Sequence, residues 1–257
     1  VPGAGSPLSR AVLAGPPREA QVLASFPTVL YLSAGEHHDV LPVLASDALI
    51  LPTGTRLSAP GRDIVWGVVA GDSVAVGEAA ITLPGWRIRL VREWRPARVR
   101  AVSGLAEPGL LSELAYSLSG PATAPELVDQ ASAVFRAARR GEEAGLRRGL
   151  RQLLGAGQGL TPSGDDVLCA LLLVLRGLGD VEPIALLGAA VADQWVRTTS
   201  LSASLLNAAR SGYAVPQVVA LVRSSLGGNL AGVSESLTST LDIGHKSCRD
   251  LVAGVAG

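Results

Sequence analysis

One segment of the chain concentrates residues that could bind an anion and move a proton. It reads GQGLTPSGDD and covers residues 157–166. Its glycines let a ligand approach the backbone closely, and Ser163 can donate a hydroxyl hydrogen. Asp165 and Asp166 bring paired carboxylates to the same place, where they could act as acid and base. The segment therefore predicts a site for a phosphate or carboxylate group beside an acid–base pair.

A helix must present these residues. Thr161 followed by Pro162 fits a helix start, because the hydroxyl can cap backbone N–H groups and proline suits the first turn. The residues that follow, VLCALLLVL, are apolar on every face, which predicts a buried helix. A buried N-terminus offers unpaired N–H donors and a partial positive charge. We therefore expect the N–H groups of Ser163 and Gly164 to hold a small oxyanion.

The same residues permit two other interpretations. Thr161, Ser163 and the aspartates could only cap a core helix while the glycines form its turn. Asp165 and Asp166 could instead hold a divalent metal for hydrolysis. The segment is not a nucleotide-binding P-loop, because no Lys-Ser or Lys-Thr pair closes it. Nor does a predicted strand precede it, as a dinucleotide-binding fingerprint requires.

Two further predicted helix starts carry hydroxyl and cationic groups. Arg197 can bind a carboxylate or phosphate through two N–H groups, while Thr199 and Ser202 can donate to the same anion. Near the C-terminus, His245 and Ser247 stand at the start of another predicted helix. Ordinary helix capping explains both segments equally well.

Composition limits the possible partners and compartment. The 257 residues are 48% hydrophobic and carry 22 Lys plus Arg against 22 Asp plus Glu. A neutral chain has no overall field for nucleic acid or an anionic membrane, so we expect neither partner. Cys169 and Cys248 lack metal-ligand spacing, and we interpret the histidine pair within residues 36–39 as a solvated loop. With no secretory signal in the first residues, these features predict a cytoplasmic protein without a metal or other cofactor.

The pattern of apolar and turn residues changes near residue 100. Before it, short β-rich runs separated by turn residues predict an antiparallel barrel or sandwich. The predicted strands are TVLYL, DALILP, DIVWGVV, SVAVGEAAITL and WRIRLVREW. After it, a 3.6-residue apolar period predicts helices. They cover residues 110–117, 124–140, 142–154, 162–176, 184–196 and 201–210, with three more that begin near Pro216, Val233 and Ser247. We predict an α+β fold, with a β-rich domain at 1–104 and an all-helical domain at 105–257.

Three motifs resemble a bacterial family, once of unknown function, named after a subunit of oxamate carbamoyltransferase. They are GQGLTPSGDDVLCALL, RTTSLSASLL and IGHKSCRDLVAGV, and GxGLTPSGDD is the specific element. The resemblance covers most of the chain. In the third motif, Lys246 and Cys248 replace a hydroxyl residue and a glycine of the family pattern, which is closer to GHSSGxD.

The resemblance implies carbamoyl transfer between oxamate and carbamoyl phosphate, as in anaerobic allantoin breakdown, within a multi-subunit assembly. It implies a small anionic substrate and partner subunits, and leaves open whether this subunit is catalytic. Asp165 or Asp166 would orient an amide nitrogen or act as the base, and Arg197 or His245 would neutralise developing charge. The alternative is a non-catalytic small-molecule-binding or scaffolding subunit. The positions that match the family pattern are Gly159, Thr161, Pro162, Ser163, Gly164, Asp165, Asp166, Thr199, Ser202, Gly244, His245, Ser247 and Asp250.

Overall fold

The computed structural model describes residues 1–36, 38–118, 124–242 and 247–257, without the side chains of residues 117, 247 and 248. The chain divides into two compact units, Val1–Pro96 and Ala97–Gly257. The first contains a closed β-barrel and the second is helical, which confirms the predicted α+β fold. The second unit includes residues 97–104, which the sequence placed with the strands. The domain boundary at residues 104 and 105 stays a prediction.

The barrel closes in the order β1-β5-β4-β3-β2-β6-β7-β8. Its strands are β1 (Pro2–Gly5), β2 (Arg18–Ser25), β3 (Val29–Ser33), β4 (Val40–Leu44), β5 (Thr55–Leu57), β6 (Ser73–Gly77), β7 (Ala80–Leu83) and β8 (Trp86–Glu93). A barrel, rather than a sandwich, is thus the alternative that forms. The pairs β1–β8 and β4–β5 are parallel, so the strictly antiparallel prediction is wrong for them. Neither pair is joined by a hairpin, the connection that forces neighbouring strands to be antiparallel.

Two of the predicted strands are absent from the described part of the barrel. Residues 47–52 and 63–69 run between strands without joining the sheet. Gly67 adopts a left-handed φ of 69° in the second run, which interrupts an extended ladder. Val65 is 83% exposed while Trp66 is buried, so side chains alternate there without strand pairing. The sequence also missed β1, β2, β4, β5 and the short helix α1 (Arg10–Ala14).

The helical unit is built around one central helix. Its helices are α2 (Pro108–Leu118), α3 (Pro125–Arg140), α4 (Glu143–Leu153), α5 (Ser163–Leu178), α6 (Val181–Ala192), α7 (Ser200–Arg210), α8 (Pro216–Leu226), α9 (Leu230–Leu241) and α10 (Ser247–Ala256). Helix α5 packs against α3, α4, α6, α7, α8 and α10, as its all-apolar sequence predicts. In the described part of the chain, the helices are too short or too polar to cross a membrane.

Helices α5 and α10 approach each other closely at a glycine. A Cβ on Gly254 would lie 2.6 Å from both Ala170 Cβ and the Val167 carbonyl oxygen. The end of α10 shares a cleft with Leu171 and Leu178, in the second half of α5. Gly254 therefore lets α10 pack directly on α5.

Candidate functional site

Helix α5 begins one residue later than the sequence predicted. Pro162, rather than Thr161, is the N-cap residue; its ψ of 143° is extended, and no side chain caps the helix there. The Pro162 carbonyl accepts from the N–H groups of Asp165 at 3.0 Å and Asp166 at 3.3 Å. Thr161 is therefore not the cap, because the extended proline delays the first helical residue to Ser163.

The loop before α5 folds back onto the helix start. The Gly164 N–H donates to the Ala156 carbonyl at 2.9 Å, and a Cβ on Gly164 would lie 1.9 Å from the Leu153 carbonyl oxygen. Gly164 thus permits a close approach of the protein's own backbone. The prediction that the Gly164 N–H holds a small oxyanion is therefore wrong, because this N–H already donates to Ala156. Ser163 is half-buried, and its N–H meets no carbonyl of the described residues.

The tip of this loop is open to solvent. Residues 156–160 are exposed, and Gly157 and Gly159 have φ values of 125° and 93°. No described atom lies within 4 Å of a Cβ built on Gly159, whereas a Cβ on Gly157 would lie 2.7 Å from Ser163 N. The backbone at Gly159 is therefore open to a ligand, and Gly157 lies against the positive end of α5.

Asp165 is 1% exposed and connects three segments of the unit. Its Oδ1 accepts from the Gly155 N–H at 2.8 Å, and its Oδ2 accepts from the Thr198 hydroxyl. Burial raises the pKa of Asp165, while Thr198, the Gly155 N–H and the nearby Ser202 hydroxyl oppose that rise. Both oxygens of Asp165 thus hold the protein's own groups.

Thr199 joins the same loop to α7. Its hydroxyl donates to the Leu160 carbonyl at 2.5 Å and accepts from the Ser202 N–H at 3.1 Å. Thr199 is the N-cap of α7, so its hydroxyl serves the protein's own backbone and not the anion predicted there. The helix begins at Ser200, one residue before the predicted start, and this shifts the cap to Thr199.

The Arg197 side chain turns away from the loop. Its guanidinium donates to the Gln194 side chain at 3.1 Å and to the Arg151 carbonyl at 3.0 Å. It lines a cleft of about 430 Å³ between α4 and α6, together with Arg147 and Asp193. Its own carbonyl, in contrast, would lie 2.0 Å from a Cβ on Gly155. The structure thus brings the Arg197 backbone, and not its charge, to the loop.

Asp166 and Asp250 are two further buried carboxylates of the helical unit. They are 6% and 7% exposed, and each lies in the first turn of its helix, α5 or α10. Asp166 thus lies at the end where the loop meets α5. Cys169 follows one turn along α5, and its thiol pKa is raised well above the usual value by burial and by the charges of Asp166 and Asp165.

Two predicted residues fall where the structure gives no side-chain position. His245 lies outside the described residues, and for Ser247 only its place at the start of α10 is described. Within the described ranges, no group of three or more His, Cys, Asp or Glu side chains could hold a metal ion.

The sequence missed Gly155 as a partner of this site. Gly155 has a left-handed φ of 76°, which suits the sharp turn that follows α4. A glycine directly after the predicted helix at residues 142–154 was the available signal for that turn. Its N–H bond to Asp165 depends on a contact between distant segments, which a local pattern does not reveal.

The comparisons with known proteins concern the part of the chain that contains this site. Residues 153–257 match the family described as oxamate carbamoyltransferase subunit AllH. The match includes the 157–166 loop and helices α5 to α10, so the predicted resemblance is confirmed for these residues. No curated protein and no solved structure matched the chain.

Proposed function

We propose that this chain acts as a relative of an oxamate carbamoyltransferase subunit and binds a small anion, carbamoyl phosphate or an oxamate-like molecule. The site comprises the loop tip at residues 157–161 and Ser163. The loop tip carries the proposal, because the exposed, left-handed Gly157 lies against the half-buried Ser163 at the positive end of α5, and the backbone at Gly159 is open. The family match of residues 153–257 supports the choice of anion.

The anion is bound at Ser163, whose N–H meets no carbonyl of the described residues. The Ser163 N–H and hydroxyl donate to an anionic oxygen, and the α5 dipole adds attraction. Asp165 is a positioning residue, because its oxygens hold Gly155 and Thr198. Asp166 lies at the inner edge of the site, where its carboxylate orients the amide nitrogen of the acceptor.

The transfer forms one bond and breaks one. The oxamate nitrogen attacks the carbamoyl carbon, the bond between that carbon and the phosphate oxygen breaks, and phosphate leaves. The nitrogen loses one proton, which Asp166 accepts. Ser163 stabilises the charge that collects on the departing phosphate.

Calorimetric titration tests the site. Carbamoyl phosphate, inorganic phosphate and oxamate are titrated into the wild type, Ser163→Ala and Asp166→Asn. A lost hydrogen bond to a charged group weakens binding by on the order of tenfold, so Ser163→Ala should bind phosphate and carbamoyl phosphate about that much more weakly. Ser234→Ala, an exposed serine in α9, is the matched control and should bind like the wild type. If none of the three anions binds the wild type, this chain does not carry the site.

A scaffolding subunit is the second candidate, because Gly164 and Asp165 serve the protein's own architecture. In that case the exposed loop tip contacts a partner subunit. Activity measurements on a purified hetero-complex distinguish the catalytic function from the scaffolding function. Activity that survives both Ser163→Ala and Asp166→Asn supports scaffolding, and activity lost in both variants, with the complex intact, supports catalysis.

A further inference from the structure

A second concave surface of the helical unit is lined by arginines. The cleft has a volume of about 740 Å³, which is within the usual range for small-molecule sites. Its lining includes no carboxylate among the described residues. The polar side chains that line it are Arg98, Arg100, Arg223, Ser103, Ser224 and Asn229.

Arg98 is held in place by two contacts. Its Nε donates to the Ser211 carbonyl at 2.8 Å, and its guanidinium carbon lies 5.0 Å from the centre of the Tyr213 ring. A guanidinium stacked on an aromatic ring keeps its other N–H groups for a ligand. Arg98 is therefore oriented before any anion arrives, which lowers the entropy cost of binding.

Arg100 extends from an anchored stretch of backbone. The N–H of Val99 donates to the Gly212 carbonyl at 2.8 Å, and the N–H of Val102 donates to the Gly177 carbonyl at the same distance. Arg223 stands on α8 next to Val222, which is fully buried. Rigid elements thus hold both arginines at the cleft.

The described lining of this cleft carries a net positive charge. The whole chain has a formal net charge of zero. Over the described ranges, the ion pairs involve other arginines, and Arg98, Arg100 and Arg223 form none. Guanidinium groups without carboxylate partners bind phosphate groups through paired N–H donors. Ser103, Ser224 and Asn229 add hydroxyl and amide donors around them.

We propose that this cleft binds a small molecule that carries two or more linked phosphate groups. Three guanidinium groups match more than one negative charge, and the volume exceeds what a single phosphate fills. The proposal is independent of the site at residues 157–163, because the two sites share no lining residue.

Titration with pyrophosphate tests the proposal. Pyrophosphate and inorganic phosphate are titrated by calorimetry, without divalent metal, into the wild type, Arg100→Ala and Arg223→Ala. Pyrophosphate should bind the wild type more tightly than phosphate, and each variant should weaken it by on the order of tenfold. Arg100→Lys keeps the charge but loses the paired donors, so its affinity should be intermediate. Arg147→Ala, whose arginine pairs with Glu143 elsewhere, is the matched control and should bind normally.

Circular dichroism melting confirms that each variant is folded. If pyrophosphate does not bind the folded wild type, or binds the double variant of Arg100 and Arg223 equally well, the proposal is overturned. The loss of pyrophosphate binding caused by Arg100→Ala and Arg223→Ala should be the same in a Ser163→Ala background, so failure at one site is distinguishable from failure at the other.

Discussion

The Thr198 hydroxyl donates to Asp165 Oδ2 although the two residues are 33 positions apart. The bond connects the segment before α7 to the first turn of α5. The other oxygen of Asp165 holds the Gly155 N–H at the end of α4. One buried carboxylate therefore fixes the three segments that frame the loop at residues 156–162.

Thr198→Val removes the hydroxyl while it keeps the shape of the side chain. Asp165 then loses a buried donor, so the free energy of unfolding should fall by about 1–3 kcal/mol. Urea denaturation measures the change. Thr82→Val, at an exposed position in β7, is the control and should change little. Equal stability of the two variants would mean that the Thr198 bond contributes nothing.

The pH dependence of stability should report on the buried Asp165. Its pKa is raised above the ordinary 3.8 by burial, so the folded protein holds this proton to higher pH than the unfolded chain does. The contribution of protonated Asp165 to the free energy of unfolding is complete below the ordinary pKa, and it is lost as pH rises through the pKa of Asp165 in the folded protein. Asp165→Asn cannot titrate, so its stability relative to the wild type should improve as pH rises from about 4. Urea denaturation at a series of pH values checks the sign.

Glu93→Gln supplies a control of opposite sign. The hydrogen bond from Arg10 lowers the pKa of Glu93, so its contribution is present above the ordinary pKa and is lost as pH falls. The wild type should therefore lose its advantage over Glu93→Gln at acid pH. If the stability difference between the wild type and Asp165→Asn changes with pH in the same direction as the difference for Glu93→Gln, the raised pKa of Asp165 is contradicted.

Local patterns predicted the parts of the fold that depend on local chemistry. The all-apolar run after Asp166 identified α5, and glycines with hydroxyl residues identified its loop. The hydrogen bond of the Gly164 N–H could not be predicted in this way, because its partner Ala156 is set by the path of the loop and not by residue type. The parallel pairing of β1 with β8 is likewise fixed by barrel closure, which no local pattern contains.

The Cys169 thiol should resist alkylation in the folded protein. It is buried, and burial together with nearby Asp166 raises its pKa, so little thiolate forms at neutral pH. In a Cys248→Ser background, iodoacetamide should modify the protein only after denaturant is added. Mass spectrometry measures the modified fraction, and rapid modification without denaturant would show that the α5 start opens readily.

A two-residue hairpin in the barrel carries strain that glycine should relieve. Glu78 and Ala79 connect β6 to β7 with φ values of 49° and 54°. The left-handed region costs a residue with a Cβ about 1–2 kcal/mol. Ala79→Gly should thus raise the free energy of unfolding of the barrel by about 0.5–1 kcal/mol, after the extra chain entropy of glycine. Ala75→Gly, in the extended strand β6, should lower it, and equal effects would contradict the role of φ.

Gly164 packs against the protein's own backbone, whereas Gly159 faces the proposed ligand. Alanine substitutions at these two positions, with a control at Gly109, distinguish the two roles. In Gly164→Ala the new Cβ would lie 1.9 Å from the Leu153 carbonyl, so the loop must move away from α5. Its free energy of unfolding should fall by about 3 kcal/mol, at the upper end for overpacking. In Gly159→Ala no described atom meets the Cβ, and only the left-handed backbone costs energy, about 1–2 kcal/mol.

For the same loss of stability, Gly159→Ala should weaken phosphate binding more than Gly164→Ala does. Gly159→Ala covers part of the open backbone while Asp165 still holds Gly155 and Thr198, so the folded variant should bind phosphate more weakly than the wild type. Gly109→Ala, at another glycine with open space around its Cβ, controls for added bulk far from the loop. Phosphate titration of each variant, at a temperature where all are folded, measures the difference. Wild-type affinity in Gly159→Ala would place the anion elsewhere, because a ligand seated on that backbone cannot share the space with a methyl group.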